Sequence, residues 1–507
     1  MQPIDFFFRT ARARPEAIAV ESGDSTMTYG KLAQDVRALA AGLQSLDSTP
    51  GSRVGICCRN SIAHLTAWLA TLAAGKIWVP LFHKNRSEEL RRAIDFTEAS
   101  LVIAEASTHA LVEGAGARVI VSDPASRAED TTGGLLERFA GAAPELHVRD
   151  LGETQAIKFT GGTTGLPKGV MQPLRAWNTC IATQIATWGM TARDAYLAAA
   201  PITHGTSTYI LPILAVGGRL VLLDQPRPEE TLALLGSGRV TLTFVPPTVI
   251  YMMMQQAGAE ASDFAGLRHL IYGSGPMRPD AIAQAQVMFG PVVASTYGQT
   301  EAPQIAAAIT GPEMMAPDRR RSVGRPTLLT QVEVLDSDGR VLPPGETGEI
   351  AIRGDLVMSG FWKQPDKTAE TIVDGWLRTG DLGSFDDEGY LAILGRSKDV
   401  VISGGFNVYP SDVEPVLASH QAVADCAVFG LPDSKWGEAV HAAVVLQPGQ
   451  PVTPEEIIDF AKARLGSVKA PKVVTFFEEL PRNAYGKLQK QKLIAAVTGT
   501  EGESRSV

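Results

Sequence analysis

Residues 52–82 read SRVGICCRNSIAHLTAWLATLAAGKIWVPLF, and this run decides the fold class. SRVGICCR (52–59) is a short apolar segment of the kind a buried strand uses. SIAHLTAWLATLAAGK (61–76) is long enough for a helix, with Ser61 as its N-terminal cap and Gly75 as its stop. IWVPLF (77–82) supplies the next strand. Strand, helix and strand in that order make a β-α-β unit. SLVIAEAS (100–107), ARVIVSD (117–123), GRLVLLD (218–224), LRHLIYGSG (267–275) and PVVASTYGQTE (291–301) continue the theme. The expected fold class is α/β with largely parallel sheets.

The character changes after about residue 325. TQVEVLDSDGRVLPPGETGEIAIRG (330–354) alternates apolar residues about Asp338-Gly339, a hairpin signal. GWLRTGDLGSFDDEGYLAILGRSKD (375–399) repeats the short-strand pattern, so the large domain carries a β-rich part. CAVFGLPDSKWGEAVHAAVVLQPG (426–449) gives two strands, PEEIIDFAKARL (454–465) a helix and KVVTFFEEL (472–480) a strand. That last stretch reads as a small α+β domain. The expected division is 1–395 and 396–507, with the joint at GRSKD (395–399). A chain of 507 residues agrees with more than one core, since single cores stop growing near ~250–300 residues. The polar final ten residues read as disordered.

Composition narrows the function classes. The chain is 45% hydrophobic and 20% charged, with a net charge of −9. An acidic protein is a poor default partner for nucleic acid, which demands a basic face. A small anion held by a few local cations stays allowed. Cys57, Cys58, Cys180 and Cys426 form no C-x-x-C pair and read as reduced core residues of a cytoplasmic protein. The first twenty residues lack the shape of a signal peptide. The longest apolar run, AHLTAWLATLAAG (63–75), falls short of the ~18–20 residues a membrane span needs. A homodimer is left open.

FTGGTTGLPKGV (159–170) gathers four glycines, three threonines and one lysine. Glycines let backbone N–H groups converge on an anion, Thr160, Thr163 and Thr164 add hydroxyl donors, and Lys168 adds a charge. The spacing is not that of the common nucleotide loop, because Lys168 lies three residues past Gly165 and is followed by Gly169. GSGPMR (273–278) imitates a dinucleotide fingerprint but has Arg278 where the third glycine belongs. Taken alone, the loop reads equally well as a glycine-rich surface hairpin.

It is not alone. The spacing Thr-Gly-Gly-Thr-Thr-Gly-Leu-Pro-Lys-Gly resembles the phosphate loop of the adenylate-forming superfamily, which includes the acyl- and aryl-CoA synthetases. YGQTE (297–301), GEIAIRG (348–354), WLRTGD (376–381), GRSKDVVISGGFNVYPSDVE (395–414) and LPRNAYGKLQK (480–490) follow in that superfamily's order. Six motifs in order span nearly the whole chain. One position departs: Gly161 stands where the superfamily usually has Ser, which removes a hydroxyl donor and keeps a backbone N–H.

The resemblance implies a large α/β domain followed by a small mobile one, and it implies roles. Thr160, Gly161, Gly162, Thr163, Thr164, Gly165 and Lys168 would hold the phosphates of ATP. Glu301 would bind Mg²⁺ together with Thr164, while Thr300 would touch the α-phosphate. Gly273, Ser274, Gly275 and Tyr297 would line the adenine slot. Asp381 would accept hydrogen bonds from the ribose hydroxyls, with Arg396 helping, since a carboxylate offers lone pairs and no competing donor. Lys487 would reach the α-phosphate and the acid during adenylation. Lys398 would be the pivot of the small domain, after which Gly404 and Gly405 would flank pantetheine. Trp436 would pack on the adenine of coenzyme A and Lys472 would meet one of its phosphates, although Ala470 stands where some relatives are basic. DRRRS (318–322) reads as a solvated turn.

His204, in APITHGTS (200–207), falls at the resemblance's acyl-pocket position, and a satisfied core histidine is its competing reading. HGTSTYILP (204–212) contains no Asp to pair a substrate ammonium, which disfavours an α-amino acid. Gly205, Thr206, Val245, Pro246 and Gly273 suggest a hydrophobic acid, aromatic or medium-chain. The implied activity is acid–thiol ligation with ATP, Mg²⁺ and coenzyme A. Loading of a carrier protein, a luciferase-like oxygenase and nucleotide binding without turnover are the alternatives; the intact Glu301, Asp381 and Lys487 speak against the last.

Overall fold

Ser61 opens the helix Ile62–Ala73, its side chain accepting the N–H of His64 at 3.1 Å. A cap of this kind stabilises a helix by about 1 kcal/mol. Gly75 ends the unit at φ +70°, and a β-carbon there would come within 3.3 Å of the His147 ring. The strands Arg53–Cys57 and Ile77–Pro80 on either side pair in parallel. The β-α-β reading of the sequence therefore holds in detail. The helix buries every residue from His64 to Leu72, as expected of one that is apolar all round.

The computed structural model describes residues 1–160, 168–225, 227–256, 261–482 and 488–499. The chain forms two compact units: Met1–Val332 with Ala351–Arg378, and Glu333–Ile350 with Thr379–Val507.

The first unit contains two sheets. One has seven strands, in the order Gly360–Phe361, Lys168–Pro173, Thr154–Thr160, Ile77–Pro80, Arg53–Cys57, Leu101–Ala104 and Arg118–Val121. Its pairs from Thr154–Thr160 to Arg118–Val121 are parallel, and the two edge pairings are antiparallel. The other has nine strands and runs in parallel from Val293–Tyr297 through His269–Tyr272, Leu242–Val245, Ala195–Ala198 and Arg219–Leu222 to Ile18–Ser22. These short strands are nearly continuous apolar runs, as sheets covered on both faces require. Trp68, Trp78 and Trp177 meet in the core with ring centroids 5.3–6.3 Å apart.

In the second unit, Val423–Asp433 and Gly437–Leu446 form a long antiparallel pair, and Val473–Phe477 joins the latter in parallel. The period-2 rule sorts the side chains. Val428, Val440, Ala442 and Val444 face Val413 and Leu417 of the helix Pro410–Ala418 and Ile457 and Ala461 of Pro454–Lys469. Ala427, Phe429, Leu431 and Ala443 face Leu493 of the helix Lys490–Thr498. The Asp338-Gly339 hairpin is present but short: Gly339 turns at φ +84°, and the return arm is held by a single bridge, Leu335 to Val341.

The four cysteines are free, three of them buried. Burial pushes the Cys57 and Cys180 thiols up to about 12, which keeps them protonated. Among the described residues no helix is long and apolar enough to cross a membrane. The DRRRS turn is less solvated than its charge suggests. It forms a 3-10 turn, Pro317–Arg321, in which Arg320 Nε donates to Gln286 Oε1 at 3.1 Å.

Candidate active site

Thr160 and Lys168 are Cα partners at the open end of the antiparallel pair Thr154–Thr160 and Lys168–Pro173. They frame residues 161–167, so Gly161, Gly162, Thr163, Thr164 and Gly165 lie outside the described residues. The arm after the loop is tied to a second motif. Gln172 donates its side-chain N–H to the carbonyl of Thr300 at 2.8 Å, and Met358 N donates to the carbonyl of Glu301 at 2.8 Å. The loop's base is thus tied to Thr300 through a backbone acceptor, and the segment before the strand Gly360–Phe361 is tied in the same way to Glu301. Tyr297, at the end of the strand Val293–Tyr297, is buried, and Glu301 is half-buried just beyond it.

Phe244 joins two further motifs. A β-carbon on Gly205 would lie 2.9 Å from its ring, and one on Gly273 would lie 2.9 Å from it as well. Only glycine permits both approaches, so the His204 turn and the Gly273–Gly275 turn close around one aromatic ring. Ser274 adopts φ +64°, a left-handed conformation a non-glycine residue seldom takes, at the C-terminal end of a parallel strand. Strand ends of this kind are where open α/β sheets bind ligands.

His204 lies within the irregular turn Ile202–Thr206, where its own φ and ψ are −113° and −148°. Its Nδ1 is 2.7 Å from Thr203 Oγ1, and its ring meets Phe82 edge-on at 4.7 Å. Burial, and then the charge of Lys158, hold the imidazole down to about 3, so it is neutral at physiological pH. His204 therefore offers a hydrogen bond or a surface to a carboxylate, not a charge.

Sequence reasoning missed Lys158. It is 7% exposed, and its Nζ donates to Ser207 Oγ at 2.8 Å and to the carbonyl of His204 at 3.3 Å. It lies 4.9 Å from the Trp78 ring centroid and 5.4 Å from that of Trp177. Burial pulls its amine down to about 7. The signal was present, since one lysine interrupts the apolar run Ala156–Phe159.

The second unit carries the remaining candidates. Asp381 is 7% exposed and pairs with Arg396, whose Nε is 2.8 Å from its Oδ1. Lys398 is exposed in the 3-10 turn Ser397–Asp399, and Asp399 reaches Lys490 Nζ at 3.4 Å. Gly404 and Gly405 adopt φ +60° and +83°, and a β-carbon on Gly404 would stand 3.1 Å from the Trp436 indole. Lys472 lies over the same indole at 5.2 Å. It also donates to the carbonyls of Val468 and Ala470 at 3.1 and 2.8 Å, which makes it a cap on the helix Pro454–Lys469. Gly404, Gly405, Trp436 and Lys472 are therefore neighbours. Lys487 lies outside the described residues, and its neighbour Leu488 bridges to Arg482.

Two family descriptions match the chain: "AMP-binding enzyme" over residues 7–362 and "AMP-binding enzyme C-terminal domain" over residues 412–487. A feruloyl-CoA synthase from an Amycolatopsis species is 33% identical over 95% of this chain and 96% of its own. The medium/long-chain-fatty-acid–CoA ligase FadD8 of Mycobacterium tuberculosis is 38% identical over 69% of this chain, which spans 62% of that protein's length. Among solved structures, ATP-bound MatB from Rhodopseudomonas palustris superposes with a TM-score of 0.89 at 29% identity, covering 99% of this chain and 100% of that one.

Proposed function

The chain belongs to the AMP-binding enzyme family, and on that premise we propose that it is an AMP-forming acid–thiol ligase for a hydrophobic carboxylic acid. The acid is aromatic or medium-chain, and the acceptor is coenzyme A. The observation that carries this reading is the convergence of family motifs in the first unit. The hairpin of the phosphate loop is tied to Thr300, next to Glu301, and the His204 and Gly273 turns close on one ring. Relatives named for aromatic and for fatty acids support the breadth of the acid class.

A carboxylate is a poor electrophile, because its leaving group would be an oxide. One carboxylate oxygen therefore attacks the α-phosphorus of ATP, pyrophosphate leaves, and an acyl adenylate results. The step needs charge neutralised on several oxygens at once. Lys487, Thr300, Lys168 and the loop N–H groups from Thr160 to Gly165 do this. Gly161 contributes its N–H without a hydroxyl. Tyr297, Gly273, Ser274 and Gly275 hold the adenine, and Asp381 with Arg396 holds the ribose. The thiol then attacks the acyl carbon and AMP leaves. In this step Gly404, Gly405, Trp436 and Lys472 hold the coenzyme. Residues 396–507 move between the two half-reactions about Lys398.

Magnesium fits the donor set. Among the described residues no group of three acidic, His or Cys side chains is arranged to hold a metal ion, and Glu301 is a half-buried carboxylate. That suits an ion held by one or two protein oxygens and the phosphates rather than by a protein cage. Glu301 and Thr164 would hold it, and when bound it supplies positive charge to the phosphate oxygens. A cytoplasmic location belongs to the same proposal, supported by four unpaired cysteines.

The test is mass spectrometry of the purified chain with ATP, Mg²⁺ and a panel of benzoate, cinnamate, hexanoate and decanoate. An acyl-AMP without coenzyme A that gives way to acyl-CoA on its addition is expected. Hydrolysis of ATP with no acyl product overturns the reading.

A further inference from the structure

Lys158 does not fit the strand that carries it. Ile157 and Phe159 turn to an apolar cluster with Val79 and Leu81, while Ala156 and Lys158 turn to the opposite face. That face holds Trp78, Trp177 and Cys180, all buried. A methionine would fill such a place, and a buried amine is costly unless paired. Among the described residues Lys158 has no carboxylate partner; its polar contacts are Ser207 Oγ and the carbonyl of His204. It also faces the N-terminus of the helix Ser207–Val216, where a cation opposes the helix dipole. Local rules broken at this cost are found at functional sites.

The contacts point to what is gained. The His204 carbonyl receives two donors, Lys158 Nζ at 3.3 Å and Ser207 Oγ at 2.7 Å. Lys158 also bonds Ser207 Oγ directly at 2.8 Å, which closes a triangle. That triangle fixes the one residue of the Ile202–Thr206 turn with non-helical backbone angles, and the same residue presents the imidazole. Two positions further on, the strand of Lys158 reaches Thr160 at the base of the phosphate loop. One strand thus holds both the His204 turn and the loop.

We propose that Lys158 is a positioning residue for the acid substrate, which acts by fixing the His204 turn through the His204 carbonyl and Ser207. The inference rests on the ligase reading and on His204 lying at the acid. It assigns a specificity role to a side chain that touches no reacting atom.

The full chain tests it in two assays: pyrophosphate release under varied acid and varied ATP, and acid binding without ATP by intrinsic tryptophan fluorescence. Lys158→Met is expected to raise the KM and Kd for the acid about tenfold, with kcat and the KM for ATP changed by about twofold or less. Lys158→Gln, which keeps a donor, is expected to recover part of the loss, and Ser207→Ala to reproduce part of it. A Lys158→Met enzyme with unchanged acid affinity overturns the proposal. So does one in which the KM values for acid and ATP rise together, which marks general loosening. If Lys158→Met does not fold, Ser207→Ala decides by the same criterion. A parent that binds acid without turnover sinks the ligase reading and leaves the binding comparison to judge Lys158. A parent that binds none of the four acids overturns both.

Discussion

Arg396 and Asp381 are Cα partners across the antiparallel strands Trp376–Phe385 and Leu391–Arg396, and their side chains pair at 2.8 Å. The register of one hairpin thus places a guanidinium against a nearly buried carboxylate. The Asp381 carboxylate is thus aimed before any nucleotide arrives. Asp381→Asn is expected to raise the KM for ATP about tenfold, because a ribose acceptor is lost and Arg396 is left without its counter-charge. The KM for the acid should stay within about twofold. Calorimetric titration of AMP gives an independent check.

Lys487→Ala separates the half-reactions. Adenylate formation is expected to fall by about a hundredfold or more, since a cation on the transferring phosphate is removed. Thioester formation from supplied acyl-AMP should keep most of its rate. Equal loss of both steps contradicts the assignment of separate residues to the two half-reactions. A rapid-quench assay started from each side reads the difference.

Glu414 gives the second unit a pH signature. Its carboxyl accepts the N–H of Val428 at 2.9 Å, and burial pushes it up from 4.5 to about 7. The folded state then holds the proton more tightly than the unfolded state, so stability is lost as pH rises from about 4.5 through about 7. Glu414→Gln keeps an acceptor and removes the charge. Its stability gain should be near zero at pH 4.5 and should reach at most roughly 3 kcal/mol above pH 7. Thermal melting at pH 5 and pH 8 measures it.

Lys158 has the opposite sign. Burial lowers its amine from 10.5 to about 7, so the unfolded chain holds more protons between those values and stability rises with pH. The shift corresponds to roughly 5 kcal/mol as an upper bound. Lys158→Met should therefore melt above the parent at pH 6.5, with a gap that narrows toward pH 9.

The parts of this architecture that the sequence made legible rest on local chemistry. Ser61 and Gly75 punctuate a helix wherever it lies, and the alternation in 426–449 sorts itself onto two faces without help from distant residues. The hidden parts depend on pairing over long distances. Nothing near Lys472 in the chain shows that its amine turns back onto the end of the preceding helix. Nothing near 333–350 shows that this segment belongs with residues beyond 379. A lysine usually marks an exposed position, and only the fold reveals that Lys158 is enclosed by Trp78, Trp177 and Ser207. The family motifs were readable because six of them occur in one order. The contacts that hold them, Gln172 to Thr300 and Phe244 to two glycines, were not.

The central claim is that this chain activates a hydrophobic acid and passes it to coenzyme A. The most direct measurement is steady-state pyrophosphate release with ATP, Mg²⁺ and each acid of the panel, with and without coenzyme A. Multiple turnovers on one class of acid are expected only when coenzyme A is present, with about one equivalent released in its absence. Release that stalls near one equivalent whatever coenzyme A is added would contradict the account and direct the search to a carrier-protein acceptor.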